Sequence, residues 1–228
     1  MNTKEHNQKE EFVSMITADR QKEKEFKELM LKFDFAKRRL ETELQILLEE
    51  FQFKNGYNPV EHTKSRIKSY DSIVKKLERK GYELTADNVL RHVHDVVGLR
   101  IVCSFVSDVY DIINIIKSSR HFIVKNESDY IKNPKNSGYT SYHINILVPV
   151  HLEDKTEYIE AEIQIRTVAM DCWASLDHKL RYKLNSISEE LEKGMLECAD
   201  KMIEIDKQMQ YLCELVKKER ENNKEEVL

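Results

Sequence analysis

Eleven residues, EYIEAEIQIRT (157–167), alternate polar and apolar almost without a break. A period of two is the signature of a strand with one face buried and the other open. Ile159, Ala161, Ile163 and Ile165 take the core side, while Tyr158, Glu160, Glu162, Gln164 and Arg166 take the other. The preceding segment, SYHINILVPV (141–150), repeats the pattern: Ile144, Ile146 and Val148 share one face, His143 and Asn145 the opposite one. Only the polar stretch HLEDKT (151–156) separates the two, which predicts an antiparallel hairpin. Two adjacent strands therefore pool His, Asn, Glu, Gln and Arg on one open face. A half-solvated sheet has that composition, and so does a catalytic surface.

The rest of the chain frames this hairpin. VVGLRIVCSF (96–105) and HFIVKNESDYI (121–131) are further strand candidates. Apolar residues at helical spacing mark a long helix from Phe26 to Phe51, stopped by NGYNP (55–59). Shorter helices are expected over 70–80, ended by Gly81, then over 86–93 and 108–118, with helix again from Val168. A last amphipathic stretch runs from Ser188 to Arg220 through Leu191, Met195, Met202, Ile205, Met209, Leu212 and Val216. The expected class is α+β: a mixed, mostly antiparallel central sheet of four to five strands flanked by helices, with long N- and C-terminal helices. Residues 1–22 and 221–228 are almost wholly polar and read as tails, the first of them mobile, around a single domain over 23–220.

Composition removes several function classes. The 228 residues carry 37 Lys+Arg against 41 Asp+Glu, a net charge of −4, which argues against general nucleic-acid binding and leaves room only for a local basic patch. No stretch approaches the ~20 apolar residues that span a bilayer. The first residues, MNTKEHNQKEEF, are too polar for a secretory signal. Cys103, Cys172, Cys198 and Cys213 form no C-x-x-C pair; Cys103 and Cys172 sit in apolar runs and are expected to be buried, reduced thiols. A cytoplasmic location is expected.

Three further features bear on chemistry. Asp95 opens the strand DVVGLR, and a carboxylate at a strand end is placed to hold a cation; Mg²⁺ takes few carboxylates and fills its other positions with water and phosphate oxygens. Asp95 and Glu162 on adjacent strands are such a pair. Arg66, Lys68, Lys75, Lys76, Arg79 and Lys80 crowd one short region, as a phosphate site or a solvated helix face would require. KNPKNSGYTSYH (132–143) sets Lys132 and Lys135 beside Tyr139, which suits cations on phosphate and a ring stacked on a base. HVHD (92–95) resembles a hydrolase metal motif, but it runs directly into strand sequence with no partner His and Asp at helical spacing nearby.

Taken together, HTKSRIKSYDSIVKKLERKG (62–81), HDVVGLRIVCSF (94–105), YIKNPKNSGYTSYH (130–143) and EIQIRTVAMDCWASLDHKLRYK (162–183) resemble the synthetase domain of the RelA/SpoT family, and within it the single-domain small alarmone synthetases. The resemblance spans about 25–215 and leaves no room for the hydrolase domain of the long members. It implies a nucleotidyltransferase-like synthetase fold that moves pyrophosphate from ATP to the ribose 3′-OH of GTP or GDP, giving AMP and pppGpp or ppGpp, with Mg²⁺ as cofactor. It implies Asp95 and Glu162 as metal-binding carboxylates, Glu162 also as the base for the 3′-OH. Arg66 and Arg100 match the arginines that sandwich adenine; Lys68, Ser72 and Lys76 match phosphate contacts. Tyr139 matches the guanine-stacking ring, His143 an acceptor contact, and Asp171 the reader of the guanine edge. Gln164 and Arg166, on the face of Glu162, are expected to orient it or the phosphates, and Trp173 to be core. Thr140 stands where many relatives carry Lys, Arg or Gln after the Tyr, which leaves one acceptor-phosphate contact and the choice between GTP and GDP open, and DVVG replaces the commoner D-I-A-G. Small alarmone synthetases are typically homotetramers, for which the terminal helices are the natural interface; intramolecular packing of those helices is the alternative. No membrane and no obligatory nucleic acid partner are expected. Two other functions stay open: a nucleotidyltransferase releasing pyrophosphate, whose Gly-Ser and D-x-D or D-x-E signature is absent, and an inactive nucleotide sensor or RNA-binding regulator on the same fold.

Overall fold

A computed structural model of the chain describes residues 3–183 and 188–225. In chain order the elements are α1 (Thr3–Asn55), β1 (Val60–Ile67), α2 (Tyr70–Arg79), α3 (Ala86–His92), β2 (Val97–Cys103), α4 (Val106–Ser118), β3 (Ile123–Asp129), β4 (Tyr142–His151), β5 (Thr156–Thr167), α5 (Val168–Lys183) and α6 (Glu189–Glu225). The strands form one sheet in the order β1-β2-β5-β4-β3. β2 and β5 run parallel; every other neighbouring pair is antiparallel. The hairpin predicted from HLEDKT is β4–β5, paired from Tyr142↔Ile165 to His151↔Thr156.

The core lies on the face that the alternation assigned to it. Ile144, Ile146, Val148, Ile159, Ala161, Ile163 and Ile165 are buried there with Leu99 and Ile101 of β2. α1 covers them with Leu29, Phe33, Ala36, Leu40 and Leu44, spaced by three and four residues on one helix stripe. α4 adds Val109, Ile112, Ile113 and Ile116. Both helices sit on the apolar face, so the polar face of β2, β5 and β4 is left for the site. Trp173 of α5 packs with Met195 and Ala199 of α6 in a second, small cluster, a core residue as expected.

Four sequence expectations differ from the structure. β1 is a fifth strand where the sequence shows none: VEHTKSRI has an apolar residue only at each end, because this edge strand meets α1 through polar groups, Ser65 to Glu41, on one face and lines the polar site on the other, so it needs no apolar alternation. α1 starts at Thr3, so helix replaces the expected tail over 3–22; Glu, Lys and Gln are good helix formers even without an apolar stripe. α6 likewise continues to Glu225, while residues 1–2 and 226–228 lie outside the described ones. Cys172 is exposed, not buried, because the buried Trp173 beside it on α5 turns the inward face about 100° away. All four cysteines are free, and no helix among the described residues is long and apolar enough to cross a membrane.

α6 docks on the sheet through a buried carboxyl. Asp206, 5% exposed, accepts a hydrogen bond from Thr167 Oγ1 at 2.7 Å. Burial pushes this carboxyl up to about 6, against the opposing pull of the Thr167 bond. The folded chain thus binds the proton more tightly than the unfolded chain, so the stabilisation is complete below about pH 4 and is lost as pH rises through about 6. Asp206→Asn is expected to be more stable than the parent at pH 7.5 by on the order of 2 kcal/mol, with the gap closing toward pH 4. Paired urea denaturation curves across that range measure it; a gap independent of pH refutes it.

Candidate active site

β5 is the middle strand, and its register brings the polar residues of three strands together. Glu162 lies beside Gly98 of β2 and Asn145 of β4; Gln164 lies between Arg100 and His143. On β1, Arg66 stands opposite Gly98 and Lys64 opposite Arg100. A Cβ at Gly98 would meet Arg66 Cγ at 3.6 Å, so the glycine lets the Arg66 stem lie over β2, and any longer side chain would lift it. A cavity of about 200 Å³ follows, lined by Lys64, Arg66, Asp95, Gly98, Leu99, Arg100, Glu162 and Gln164. A second, of about 650 Å³, shares Arg66, Arg100 and Gln164, and adds Tyr139, Arg166 and a wall from α5 that includes Ser175, Asp177, His178 and Lys179.

Both predicted carboxylates thus face the first cavity, one from each side. Asp95 receives Lys68 Nζ on one oxygen and Lys76 Nζ on the other, each at 2.7 Å. Burial acts to raise its pKa, but the two lysines outweigh it and hold the carboxyl down at about 2. Glu162 accepts from Gln164 Nε2 at 2.7 Å and meets His143 Nδ1 at 3.2 Å. Burial again raises and His143 lowers, with a net shift below the ordinary value although the charge of Asp95 opposes it. Both carboxylates are therefore anions at neutral pH.

On the far side Arg166 organises the wall. Almost fully buried, it donates to Tyr139 Oη at 2.6 Å, Gln164 Oε1 at 2.7 Å and Asp171 Oδ1 at 3.0 Å. Tyr139 Oη also meets His143 Nε2 at 2.8 Å, so Tyr139, His143 and Glu162 form one chain of contacts. Arg100 Nη1 reaches the same Asp171 oxygen at 3.0 Å, tying the predicted donor arginine to the predicted acceptor aspartate, and Arg100 Nε is buried without a partner. Lys135 Nζ is caged between the rings of Tyr130 at 4.4 Å and Tyr139 at 5.1 Å. Lys132 Nζ lies over Tyr110 at 5.1 Å.

Of the residues singled out in the sequence, Asp95, Arg66, Arg100, Glu162, Gln164, Tyr139 and Arg166 line the two cavities; Lys68, Lys76, His143 and Asp171 bond to those that do. Ser72, Lys132 and Lys135 line neither; the Ser72 hydroxyl pairs with Ser69 at 2.8 Å at the start of α2. Thr140 is buried, so the position after the tyrosine turns away from the site. Lys64, Tyr130 and Ser175, Asp177, His178 and Lys179 of α5 were missed. Lys64, Arg66 and Lys68 alternate, and that signal becomes readable once 60–67 is recognised as a strand. His92 lies flat on Tyr82, rings 3.7 Å apart, while His94 turns to Glu160 at 2.9 Å, so the two histidines diverge.

The loop that carries Tyr139 is seated on α6. Gly138 has φ +78°, and a Cβ there would collide with the Ala199 methyl. Gly138→Ala is expected to raise the Michaelis constant for whatever stacks on Tyr139 by about tenfold or more, from strain and clash together. Ala199→Gly in that background relieves only the clash and should restore part of the loss in steady-state kinetics. Unaltered kinetics in the single variant would show that the loop position is immaterial.

A mixed sheet with two carboxylates between a cationic wall and an aromatic one defines an enzyme site for phosphorylated ligands. Residues 65–187 match the family described as "Region found in RelA / SpoT proteins". The chain is 45% identical to GTP pyrophosphokinase YwaC of Bacillus subtilis over 81% of its own length and 89% of that protein. In structure it is similar to small alarmone synthetase 2 of Bacillus subtilis, with a TM-score of 0.73, 44% identity and coverage of 81% and 96% of the two chains. It is similar also to small alarmone synthetase 1 of the same organism bound to its product pppGpp, with a TM-score of 0.77, 29% identity and coverage of 85% and 98%. The chain belongs to the RelA/SpoT family.

Proposed function

We propose that this chain is a GTP pyrophosphokinase: it transfers the β,γ-pyrophosphate of ATP to the ribose 3′-OH of GTP or GDP, making AMP and the alarmones pppGpp or ppGpp of the stringent response. The observation that carries the reading is the single cavity faced by both Asp95 and Glu162, with donor-type cations on one side and the Tyr139–His143 pair on the other. ATP lies along β1 and β2, its adenine against the planar guanidinium groups of Arg66 and Arg100, its phosphates toward Lys68 and Lys76. The guanine stacks on Tyr139, near Asp171, whose carboxylate can accept from N1–H and the 2-amino group together, a pair that adenine does not present.

The 3′ oxygen attacks the β-phosphorus, the bond from that phosphorus to the α-bridging oxygen breaks, and AMP leaves. The 3′-OH proton goes to Glu162, which His143 and Gln164 hold in place. Asp95 and Glu162 suit Mg²⁺: both are ionised, both face one cavity, and two carboxylates leave the remaining positions to water and phosphate oxygens. When bound, the ion supplies charge neutralisation at the transferring phosphates. Lys68 and Lys76 cover the charge of Asp95 in the free protein and are free to turn to phosphate when nucleotide arrives.

Assembly through the terminal helices, as a cytoplasmic homotetramer, fits the apolar residues exposed on α6, Tyr211, Leu212 and Val216, and Phe53 at the end of α1. Light scattering measures it, and a monomer at micromolar concentration refutes it. The activity is tested with labelled ATP, Mg²⁺ and GTP, GDP or GMP, separating products by charge. AMP with a 3′-pyrophosphorylated guanine nucleotide is the expected result, whereas released pyrophosphate would mark a nucleotidyltransferase instead.

A further inference from the structure

Three cations near the catalytic face have no part in the reaction as described: Lys132 and Lys135 lie against the rings of Tyr110, Tyr130 and Tyr139, and Lys125 comes from β3. β3 and β4 pair Asn126↔Asn145 and Ser128↔His143, then slip by one residue between Val124 and Asn126. The extra residue is Lys125. A bulge puts two successive side chains opposite one partner and re-aims the strand locally. Here it turns Lys125 onto the polar face, where its Nζ crosses β4 to meet Glu160 Oε2 at 2.7 Å. His94 Nδ1 meets the same oxygen at 2.9 Å, while Glu160 Oε1 is buried with no partner. Both contacts fall on one oxygen and leave the other unsatisfied, so this is not a saturated structural ion pair. Glu160 is two residues from Glu162 on the same strand face, one repeat of roughly 6.7 Å away.

The acceptor's position gives this cation a task. With its base on Tyr139 and its 3′-OH at Glu162, the nucleotide runs down β4 and β5 from His143 toward Leu147 and Glu160, which pair across the hairpin. The β1 and β2 side is filled by the donor, whose cations are Lys64, Arg66, Lys68, Lys76 and Arg100. The acceptor's 5′ end must leave on the opposite side, toward β3, one strand repeat beyond Glu162. Lys125 is the cation that β3 delivers there. The position after Tyr139 supplies none, since Thr140 is buried.

We propose that Lys125 binds the 5′-phosphates of the acceptor nucleotide and that Glu160 holds it in place until they arrive, so that the acceptor is selected by the number of its phosphates. This rests on the reading of Tyr139 and Glu162 as the acceptor site. A nucleoside diphosphate or triphosphate draws the ammonium from a carboxylate that still keeps His94; a monophosphate reaches it poorly.

The test is steady-state kinetics of Lys125→Ala with GTP, GDP and GMP as acceptors and, separately, with ATP varied. The Michaelis constants for GTP and GDP should rise about tenfold, that for GMP much less, and that for ATP by less than about twofold, the pattern of a lost charge-assisted contact to phosphate. Lys125→Arg should recover most of the loss. A rise for ATP in place of GTP assigns the contact to the donor and overturns the proposal, as does no change for any nucleotide. The double variant Glu160→Gln, Lys125→Ala excludes a purely structural role. If Lys125 serves only to neutralise Glu160, the double variant returns to parent values; if it binds phosphate, the GTP defect persists. Tyr139→Ala is the control for the underlying reading. A raised GTP constant there beside normal kinetics in Lys125→Ala removes the Lys125 proposal alone, while normal kinetics in Tyr139→Ala removes the acceptor site itself.

Discussion

Glu162→Gln should lower turnover by about 10²–10⁴-fold while leaving the binding of both nucleotides within about threefold, the loss expected when a positioned general base is removed. The substitution keeps the size of the side chain and an oxygen to accept from Gln164, so the His143–Tyr139–Arg166 network has no steric reason to move. What disappears is the acceptor for the 3′-OH proton, together with one of the two carboxylate charges proposed to hold Mg²⁺, so binding is compared without the metal. Because the net effect of burial, His143 and Asp95 is a pKa below the ordinary value, Glu162 is ionised throughout neutral pH and makes the carboxylate contribution to the rate level from pH 6 to 8. AMP release under saturating substrates and calorimetric titration of each nucleotide separate the two quantities. Turnover near that of the parent would remove Glu162 as base; parallel loss of binding would make it a scaffold residue.

The sheet was legible where burial is one-sided. In β4 and β5 one face must be apolar and the other is open, so period two survives in the sequence and even names which side chains meet in the site. α1 was legible over its packed stripe and not over 3–22, since that stretch of sequence is almost wholly polar and carries no apolar period. β1 was not legible because its residues meet the polar flank of α1 on one side and the site on the other, so no apolar alternation marks it, and Arg66 sits in a run of charge that a solvated helix face would equally produce.

Partner choice was the other limit. Asp171 was expected to be a reader of guanine, and the structure ties it to Arg100 and Arg166 at 3.0 Å each, because two cations from β2 and β5 converge where α5 begins. Sequence spacing puts Arg166 and Asp171 five residues apart but says nothing of Arg100, which lies on another strand. The bulge at Lys125 is similarly invisible: KNES reads as any polar strand end, and the slip of one residue that re-aims the lysine is a property of its pairing with β4.

Asp95→Asn should separate the electrostatic role of this residue from its catalytic one. The carboxylate lies between Lys68 and Lys76, and its folded pKa of about 2 is below the ordinary 3.8. The cluster therefore adds stability above about pH 4 that is lost as pH falls through about 2, on the order of 2 kcal/mol. The neutral amide forfeits it at pH 7, and its melting temperature should fall by several degrees. The same change leaves two ammonium groups with no counter-charge beside the donor site, so ATP without metal should bind as tightly as to the parent or more tightly. Turnover should move the other way, falling by about 100-fold or more, with a higher Mg²⁺ concentration needed for half-maximal rate, because an amide is a poorer ligand than a carboxylate for a hard cation. Asp95→Glu retains the charge and should recover part of the Mg²⁺ response. A variant that loses ATP affinity in the absence of metal would mean that Asp95 positions Lys68 and Lys76 for phosphate, and a parent-like Mg²⁺ titration would take the ion away from this carboxylate.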